Sequence, residues 1–211
     1  MVKAKQEGAA PTASKRRGKK VVDRWKAKQW YEIHASPEFD NIYIGQTPAA
    51  EEEILYQRVL ENSLFDFTQD FEDASIKLRF RINKVNGNLA NTQFIGHELT
   101  RDFIRSLIRR GSNRIQNIID IKTKDDYVFR ITGTVFTLNM AKSSQQKTIR
   151  KIISDILTEK GNTLGCKEFV QEMVFGNIER DIKRIANEIV PIRECKLLKS
   201  VLLSAPKTDT A

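Results

Sequence analysis

Apolar and cationic residues alternate without interruption from Ile76 to Ile82. Because successive side chains of a β-strand point to opposite faces, this pattern predicts a strand with one apolar and one cationic face. The cationic face carries Lys77, Arg79 and Arg81. Such a row is either an ordinary solvated face or a row of contacts to a polyanion, and the strand alone does not separate the two readings.

Strand patterns recur along the chain and suggest two hairpins. Asn86-Gly87 tolerates the positive φ of a type I′ turn, which predicts an antiparallel return of the first strand. Residues 123–126 join a second pair of strands. The further predicted strands cover residues 42–44, 58–64, 89–96, 115–121, 127–138 and 192–203.

Helical periodicity predicts four helices between and after these strands. Thr100 can cap a first helix, which Gly111 ends. The spacing of Ser143 and Gln146 fits a capping box, and Gly161 is expected to stop that second helix. Two more helices are predicted over residues 167–175 and 178–190, the last with Ile178, Ile182, Ile185 and Ile189 inward. The order of elements indicates an α+β domain around a largely antiparallel sheet.

A second cationic row is predicted on the outer side of the first helix. Arg101, Arg105 and Arg109 recur every four residues and Arg110 joins them, with only Asp102 as a nearby acid. Like charges at this spacing repel one another by a few tenths of a kcal/mol (~0.3) per pair. The row is therefore either a solvated helix face or a surface that meets an anion.

The positive charge is concentrated at the N-terminus. The chain has a net charge of +9 and a pI of about 9.6. Residues 1–30 account for +8 of this charge, so the rest of the chain is nearly neutral. We expect residues 1–28 to form a basic, RNA-contacting arm that is disordered when free, residues 29–203 a single α+β core, and residues 204–211 a flexible tail.

The predicted arm combines cations with flat rings. Trp25, Trp30 and Tyr31 either anchor the arm to the core or stack on unpaired bases. Its basic cluster resembles a nuclear localisation signal as well as an RNA contact, and the sequence does not separate an address from a contact. The candidate RNA-binding residues in this part are Lys15, Arg16, Arg17, Lys19, Lys20, Arg24, Trp25, Lys26, Lys28 and Trp30.

Several functional classes find no support in the sequence. No apolar run is long enough to span a membrane, and no secretory signal is recognisable. Cys166 and Cys195 stand alone, which argues for two core thiols rather than a disulfide or a metal site. His34 and His97 lie in unrelated contexts, and no catalytic, nucleotide-binding or calcium-binding motif occurs. We therefore expect no enzyme activity, no cofactor, no metal and no small-molecule substrate.

Four ordered strings give the chain a family resemblance: Gly96–Asp102 (GHELTRD), Arg105–Arg110 (RSLIRR), Glu168–Gly176 (EFVQEMVFG) and Pro191–Lys196 (PIRECK). With these strings, the sequence resembles the archaeal and eukaryotic S-three-A-e family of small-subunit ribosomal proteins, called e-S-one in the unified nomenclature, and the archaeal members above all. One departure is Asp125-Asp126, where the family often has Asp-Gly, so this turn is expected to differ in type. A second departure is a tail shorter than that of eukaryotic members.

The resemblance implies a β-barrel-like core flanked by helices and a place on the platform of the small subunit, near the messenger exit. It implies small-subunit ribosomal RNA and neighbouring platform proteins as partners, a cytoplasmic, ribosome-bound location and no catalytic role. The two cationic rows and the arm would then contact RNA by phosphate and shape.

Two rival hypotheses remain open at this stage. A free-standing nucleic-acid-binding regulator would prefer a short oligonucleotide sequence. A protein-interaction scaffold would turn its acidic segments, residues 51–53 and 70–73, toward basic neighbours.

Overall fold

Eight strands and five helices lie within residue 23 and residues 25–206, the part of the chain described by this computed structural model. The strands are β1 (Gln29–His34), β2 (Tyr43–Ala49), β3 (Val59–Ser63), β4 (Ile76–Asn86), β5 (Leu89–Leu99), β6 (Arg114–Lys122), β7 (Val128–Thr137) and β8 (Ile192–Ser204). The helices are α1 (Phe65–Thr68), α2 (Arg101–Leu107), α3 (Ser143–Thr163), α4 (Cys166–Val174) and α5 (Asn177–Ala186). The predicted disorder of the arm concerns mainly residues 1–22 and 24, which lie outside the described residues, as do residues 207–211 of the predicted tail.

All eight strands join one sheet, which confirms the α+β class. Their order is β2-β1-β5-β8-β7-β6, and β4 pairs with β5 and carries β3 on its other edge. Every pairing is antiparallel except a short parallel one between β1 and β5, at residues 32–34 and 89–91.

The expectation of a barrel-like core is wrong, because the sheet does not close. Among the described residues, the strands β2, β3 and β6 each pair with a single neighbour and so remain edges. Two strands pair with the same edge of β5. Strand β1 pairs with the start of β5 and β8 pairs with the end of β5, so the sheet branches there. The β5–β8 ladder consists of Glu98 opposite Lys199. Beside it, Gly96 meets the carbonyl of Ser200 so closely that a Cβ at this position would overlap that oxygen.

The first predicted hairpin is confirmed, with a different turn. Strand β4 buries Leu78, Phe80 and Ile82, as the alternation requires. It then continues to Asn86, which faces Leu89, so the two turn residues are Gly87 and Asn88. Only Gly87 of these has a positive φ, of 60°. A single positive φ at the first turn position is the requirement of a type II′ turn rather than type I′.

The second predicted hairpin, β6–β7, is also confirmed. Its turn places Asp126 at a φ of 63°, so this aspartate adopts the left-handed conformation that glycine tolerates better. The Lys122 ammonium pairs with the Asp126 carboxylate, which compensates part of the cost of this conformation. The expected departure from the family's turn type stays a prediction.

Three predicted helix boundaries, on α2 and α3, are wrong. Helix α2 ends at Leu107, four residues before Gly111, because Ile108 already has extended dihedral angles. Helix α3 begins after Lys142, whose backbone N–H donates to Gln145 Oε1, so the predicted pair of Ser143 and Gln146 is out of register by one residue. It also runs past Gly161 to Thr163.

The hydrophobic core lies mainly between the sheet and helices α3, α4 and α5. A smaller cluster joins Tyr31 and Ile33 of β1 to Leu55 and to the turn end of the β4–β5 hairpin. On α5, Ile178 and Ile182 are buried as predicted, whereas Ile185 is 37% exposed. Helix α5 ends at Ala186, so Ile189 lies beyond it and only packs against the rim of the core. The core residues Phe80, Phe129, Phe136 and Phe169 are fully buried, and each contributes on the order of 2 kcal/mol of transfer free energy.

Candidate nucleic-acid interface

The strand row on β4 points away from the core, but its central cation is already paired. Arg79 Nε lies 2.8 Å from Glu61 Oε1 on β3, and its Nη2 lies 3.0 Å from Glu98 Oε2 on β5. Lys199 of β8 also approaches Glu98, at 3.5 Å. Arg79 therefore links β4 to β3 and β5 through ion pairs, and its charge is not free to meet a phosphate.

The two flanking members of the row remain available. Lys77 is exposed, and Arg81 is half-buried with an Nε that has no hydrogen-bond partner among the described residues. Neither forms an ion pair in that part of the chain. The row thus offers two cations separated by a neutralised one.

The predicted helix row is divided by the early end of α2. Arg101 and Arg105 lie on the helix, and Arg105 is 3.8 Å from Asp102, a long and solvent-exposed pair. Arg109 and Arg110 follow the helix in the loop that leads to β6. The four arginines therefore do not form one row, and the last two belong to a different surface.

That surface is a cavity of about 300 Å³ lined by three arginines. Arg109 and Arg110 come from the α2–β6 loop, and Arg193 comes from the start of β8. We call these three residues the arginine cluster. None of them forms an ion pair within residues 25–206, and Ser112 and Thr137 contribute polar groups to the same wall.

The neighbourhood of the arginine cluster is also cationic. Arg114 begins β6, and Lys142 precedes α3. These two residues lie close together because the residues that precede them are hydrogen-bonded, with Ala141 N–H donating to Asn113 Oδ1 at 2.7 Å. Leu138 and Met140, which follow β7, are 54% and 76% exposed. Unpaired guanidinium groups beside exposed apolar side chains form a surface that fits phosphates and the sugar–base edges next to them.

Arg193 was missed by the sequence reasoning. The local pattern gave no clear signal, because β8 does not alternate regularly here: Arg193 and Glu194 are both half-buried between the buried Ile192 and Cys195. A single arginine in an amphipathic strand has no significance until the α2–β6 loop is placed beside it. That juxtaposition joins residues more than 80 positions apart in sequence.

The described end of the arm shows which aromatic residue anchors it. Tyr31 is buried, whereas Trp25 and Trp30 are 61% and 56% exposed. Lys28 Nζ lies 4.3 Å from the centre of the Trp25 ring, in a cation–π contact. The anchoring reading holds for Tyr31, and stacking of the two tryptophans on bases stays a prediction. The cations Lys15, Arg16, Arg17, Lys19, Lys20 and Arg24 lie outside the described residues.

The two histidines lie in different places. His34 Nδ1 is 3.1 Å from the carbonyl oxygen of Asn41 at the surface. His97 is buried, its Nε2–H donates to the Leu197 carbonyl at 2.9 Å, and its Nδ1 accepts from the Ser200 hydroxyl at 2.8 Å. Burial lowers the pKa of His97 to about 4. Although Ser200 and His97 are bonded like a nucleophile and its base, both are buried and tie two strands together.

The cysteines are core thiols, as predicted. Cys166 and Cys195 are both buried and free. Burial raises the pKa of the Cys166 thiol to about 12 and raises that of Cys195 as well, so both stay protonated and unreactive. Within residues 23 and 25–206, no three His, Cys, Asp or Glu side chains gather as a metal-binding group. No helix among these residues is both long and apolar enough to cross a membrane.

Comparison with known proteins gives a consistent family. Residues 16–206 match the model of the Ribosomal S3Ae family. A protein named small ribosomal subunit protein eS1, from Desulfurococcus amylolyticus, is 42% identical over 189 residues, which cover 90% of this chain and 89% of that protein. Its namesake in Staphylothermus marinus is 44% identical over 194 residues, 92% of each chain. The protein of the same name in Sulfolobus acidocaldarius is 41% identical over 188 residues, 89% of this chain and 95% of the relative.

These relatives come from archaea, and they confirm the resemblance seen in the sequence. Relatives that are named as ribosomal proteins also agree with the expectation that the chain is not an enzyme. Because the family model covers nearly the whole chain, from the basic arm to the end of β8, the chain belongs to the Ribosomal S3Ae family.

Proposed function

We propose that this chain is a structural component of the small ribosomal subunit and binds small-subunit ribosomal RNA by phosphate contacts and shape. Family membership supports its place in the subunit, and the arginine cluster supports the mode of binding. The location on the platform near the messenger exit, the protein neighbours there and the cytoplasmic, ribosome-bound location belong to the same proposal.

The observation that carries the RNA contact is the convergence on one cavity of three arginines that are unpaired in the described part of the chain. Elsewhere on the body, cations such as Arg79, Lys160 and Lys196 lie within 3 Å of carboxylates. Arg109, Arg110 and Arg193 converge on one cavity with no carboxylate partner among the described residues. Three guanidinium groups that repel one another gain free energy when an anion enters between them, and guanidinium matches the bidentate geometry of phosphate.

Sedimentation of a tagged copy through gradients of rising salt tests the proposal. The parent chain should migrate with small subunits at moderate salt. The variant Arg109→Gln/Arg110→Gln/Arg193→Gln should leave them at lower salt, because removing a cation that neutralises a phosphate reduces the salt slope of binding by about one. The control Lys167→Gln/Lys183→Gln/Arg184→Gln removes the same charge from cations that are already paired with acids and should behave as the parent does.

The outcomes separate the two parts of the proposal. A parent chain found only in the soluble fraction of growing cells would contradict its place in the subunit. A triple variant that resists salt as well as the parent would contradict the arginine cluster alone. Tight binding of a short oligonucleotide with a preferred sequence would favour the rival regulator.

A further inference from the structure

One surface of this basic chain is acidic. Residues 59–76 contain five carboxylates and no lysine or arginine. Glu61 pairs with Arg79, but the other four form no ion pair within the described residues. Their one side-chain bond there is a 3.0 Å contact from Thr68 Oγ1 to Asp73 Oδ2. The four unpaired acids are Asp66, Asp70, Glu72 and Asp73.

The same surface exposes phenylalanine rings. Phe71 is 85% exposed and touches only one other ring in the described chain, that of Phe65, at 5.1 Å between ring centres. Phe175, at the end of α4, is 48% exposed. These two exposed rings border a groove of about 640 Å³, together with Asp70, Glu72, Asp73 and the unpaired Arg180. We call it the Phe71 groove.

The Phe71 groove continues into its neighbours. Glu72 and Asp73 also line two adjoining cavities of about 320 and 310 Å³, which extend past the buried Glu179 toward Glu194. Lys196 is within 2.9 Å of Glu179, and Lys183 is within 3.5 Å of Glu194, so the cations beyond Arg180 are neutralised. The three cavities share Glu72 and Asp73 in their linings, and together these linings carry an excess of negative charge.

The charge of the groove selects its occupant. Phosphates would meet unpaired carboxylates here, so RNA is disfavoured. A second copy in a symmetric pair would place acid against acid. The chain's own arm leaves the body at β1, which packs at the turn end of the β4–β5 hairpin. The groove lies beside Ile76, at the other end of that hairpin, so the arm does not start near it. Carboxylates together with exposed aromatic faces attract lysine and arginine side chains through ion pairs and cation–π contacts.

We propose that the Phe71 groove docks an extended lysine- or arginine-rich segment of a neighbouring protein. Phe71 and Phe175 contact the aliphatic stems of the segment, and Asp70, Glu72 and Asp73 bind its cationic ends. This interaction goes beyond RNA binding, and it depends on the proposed function only for the identity of the particle in which the two proteins meet.

Photo-crosslinking tests the docking site in the assembled particle. The full chain carries Phe71→p-benzoylphenylalanine, which the high exposure of Phe71 allows without disturbing the core. Cells are irradiated, the gradient fraction that holds the chain is collected, and the crosslinked peptide is sequenced. We expect a segment of another protein that is rich in lysine or arginine. Ile118→p-benzoylphenylalanine, 58% exposed on the distant edge strand β6, is the control and should not give this product.

Charge reversal provides the second arm of the test. Asp70→Lys/Glu72→Lys, at side chains that form no hydrogen bonds in the described chain, should reduce the crosslink about tenfold. Glu51→Lys/Glu52→Lys makes the same change of charge on another exposed loop and should leave the yield within about twofold of the parent. A crosslink to RNA, to residues 1–28 of the same chain, to a second copy or to a segment without excess positive charge would overturn the proposal, as would no crosslink at all. The sedimentation profile judges the proposed function separately, because the crosslink is read wherever the chain migrates.

Discussion

At the scale of single residues, His97 holds β5 against β8 where their ladder is weakest. The backbone N–H of His97 donates to Ser200 Oγ at 2.9 Å, and the ring bonds to Ser200 and Leu197 on either side. Each ring nitrogen has one fixed role. The Leu197 carbonyl oxygen can only accept a hydrogen bond, so Nε2 is the donor and Nδ1 is the acceptor. The imidazole must therefore be neutral for this junction to keep all of its bonds.

We expect the free energy of unfolding to decrease as the pH is lowered, because of His97. In the unfolded chain the imidazole takes up a proton near pH 6.5, whereas the folded chain resists protonation down to about pH 4. The contribution of His97 to the free energy of unfolding is complete above about pH 6.5. This contribution decreases by roughly 3 kcal/mol as the pH falls to about 4. Urea unfolding at about pH 7 and about pH 4.5 measures the loss.

The second histidine supplies the control for this prediction. His34→Gln should keep the loss of stability at acidic pH, because this variant still contains His97. His97→Gln should be less stable at neutral pH but should lose most of the difference between the two pH values. An unchanged difference in His97→Gln would assign the acid sensitivity to other groups.

Residue patterns predicted the direction of side chains better than their availability. The alternation in β4 correctly placed Lys77, Arg79 and Arg81 on the outer face. It could not show that Arg79 meets Glu61 and Glu98, because those acids come from other strands and their register is a property of the folded sheet. For the same reason Arg193 was missed, since its neighbours in space are distant in sequence.

At the scale of elements, Gly161 shows why a glycine can lie inside a helix. Helix α3 crosses β6 at this point, and a Cβ on Gly161 would overlap Ile121 Cγ2 and lie 3.1 Å from the carbonyl oxygen of Lys122. Glycine costs the helix about 1 kcal/mol relative to alanine. The close approach of helix and strand offsets that cost, so a residue that usually ends helices is kept within this one.

Gly161→Ala should therefore destabilise the protein although alanine is the better helix former. The added methyl group must displace Ile121 or lift α3, which costs on the order of 1 to 3 kcal/mol. Asn162→Ala, at the exposed next position of α3, gains helix propensity without a clash and should be neutral or slightly stabilising. Denaturant midpoints of the two variants measured side by side would contradict the close approach if Gly161→Ala were as stable as Asn162→Ala.

The elements themselves were largely predictable, and their ends were not. Periods of two and 3.6 residues depend on burial on one face, which the local sequence records, so both hairpins and four of the five helices were found. Boundaries depend on contacts made elsewhere. Helix α2 stops at Leu107 because the chain must turn toward β6, and α3 continues past Gly161 because the sheet supports it. The prediction of a barrel-like, closed sheet was wrong, because closure depends on how β1 and β8 both pair with β5.

At the scale of the whole molecule, opposite charges occupy separate surfaces. The arginine cluster lies between the α2–β6 loop and the start of β8, and the Phe71 groove lies between the segment before β4 and the end of α4. The described body is nearly neutral in sum. Within this described body, the lining of the arginine cluster's cavity holds no acid, whereas the lining of the Phe71 groove and its adjoining cavities holds more acids than cations. Such a body can be oriented on a polyanion, because one surface is attracted to phosphate while the other is repelled.

We expect the N-terminal arm to contribute binding free energy without contributing orientation. Its five clustered cations, when replaced in Lys15→Gln/Arg16→Gln/Arg17→Gln/Lys19→Gln/Lys20→Gln, should weaken binding to small-subunit RNA. The salt slope should fall by up to about five, roughly one for each phosphate that is no longer neutralised. This decrease should exceed that of the arginine cluster variant, which removes three charges. Filter binding at several salt concentrations measures both slopes.

A shuffled arm separates a charge contact from a sequence-read signal. Phosphate contacts depend on charge and reach rather than on residue order, so a full chain whose residues 1–22 are randomly reordered should keep the salt slope of the parent. Replacement of the same five cations by glutamine should reduce the contribution of the arm by the same amount in either order. If shuffling alone weakened RNA binding as much as neutralisation does, the arm would be recognising a specific RNA structure, and the division of labour between a charged arm and an orienting body would be wrong.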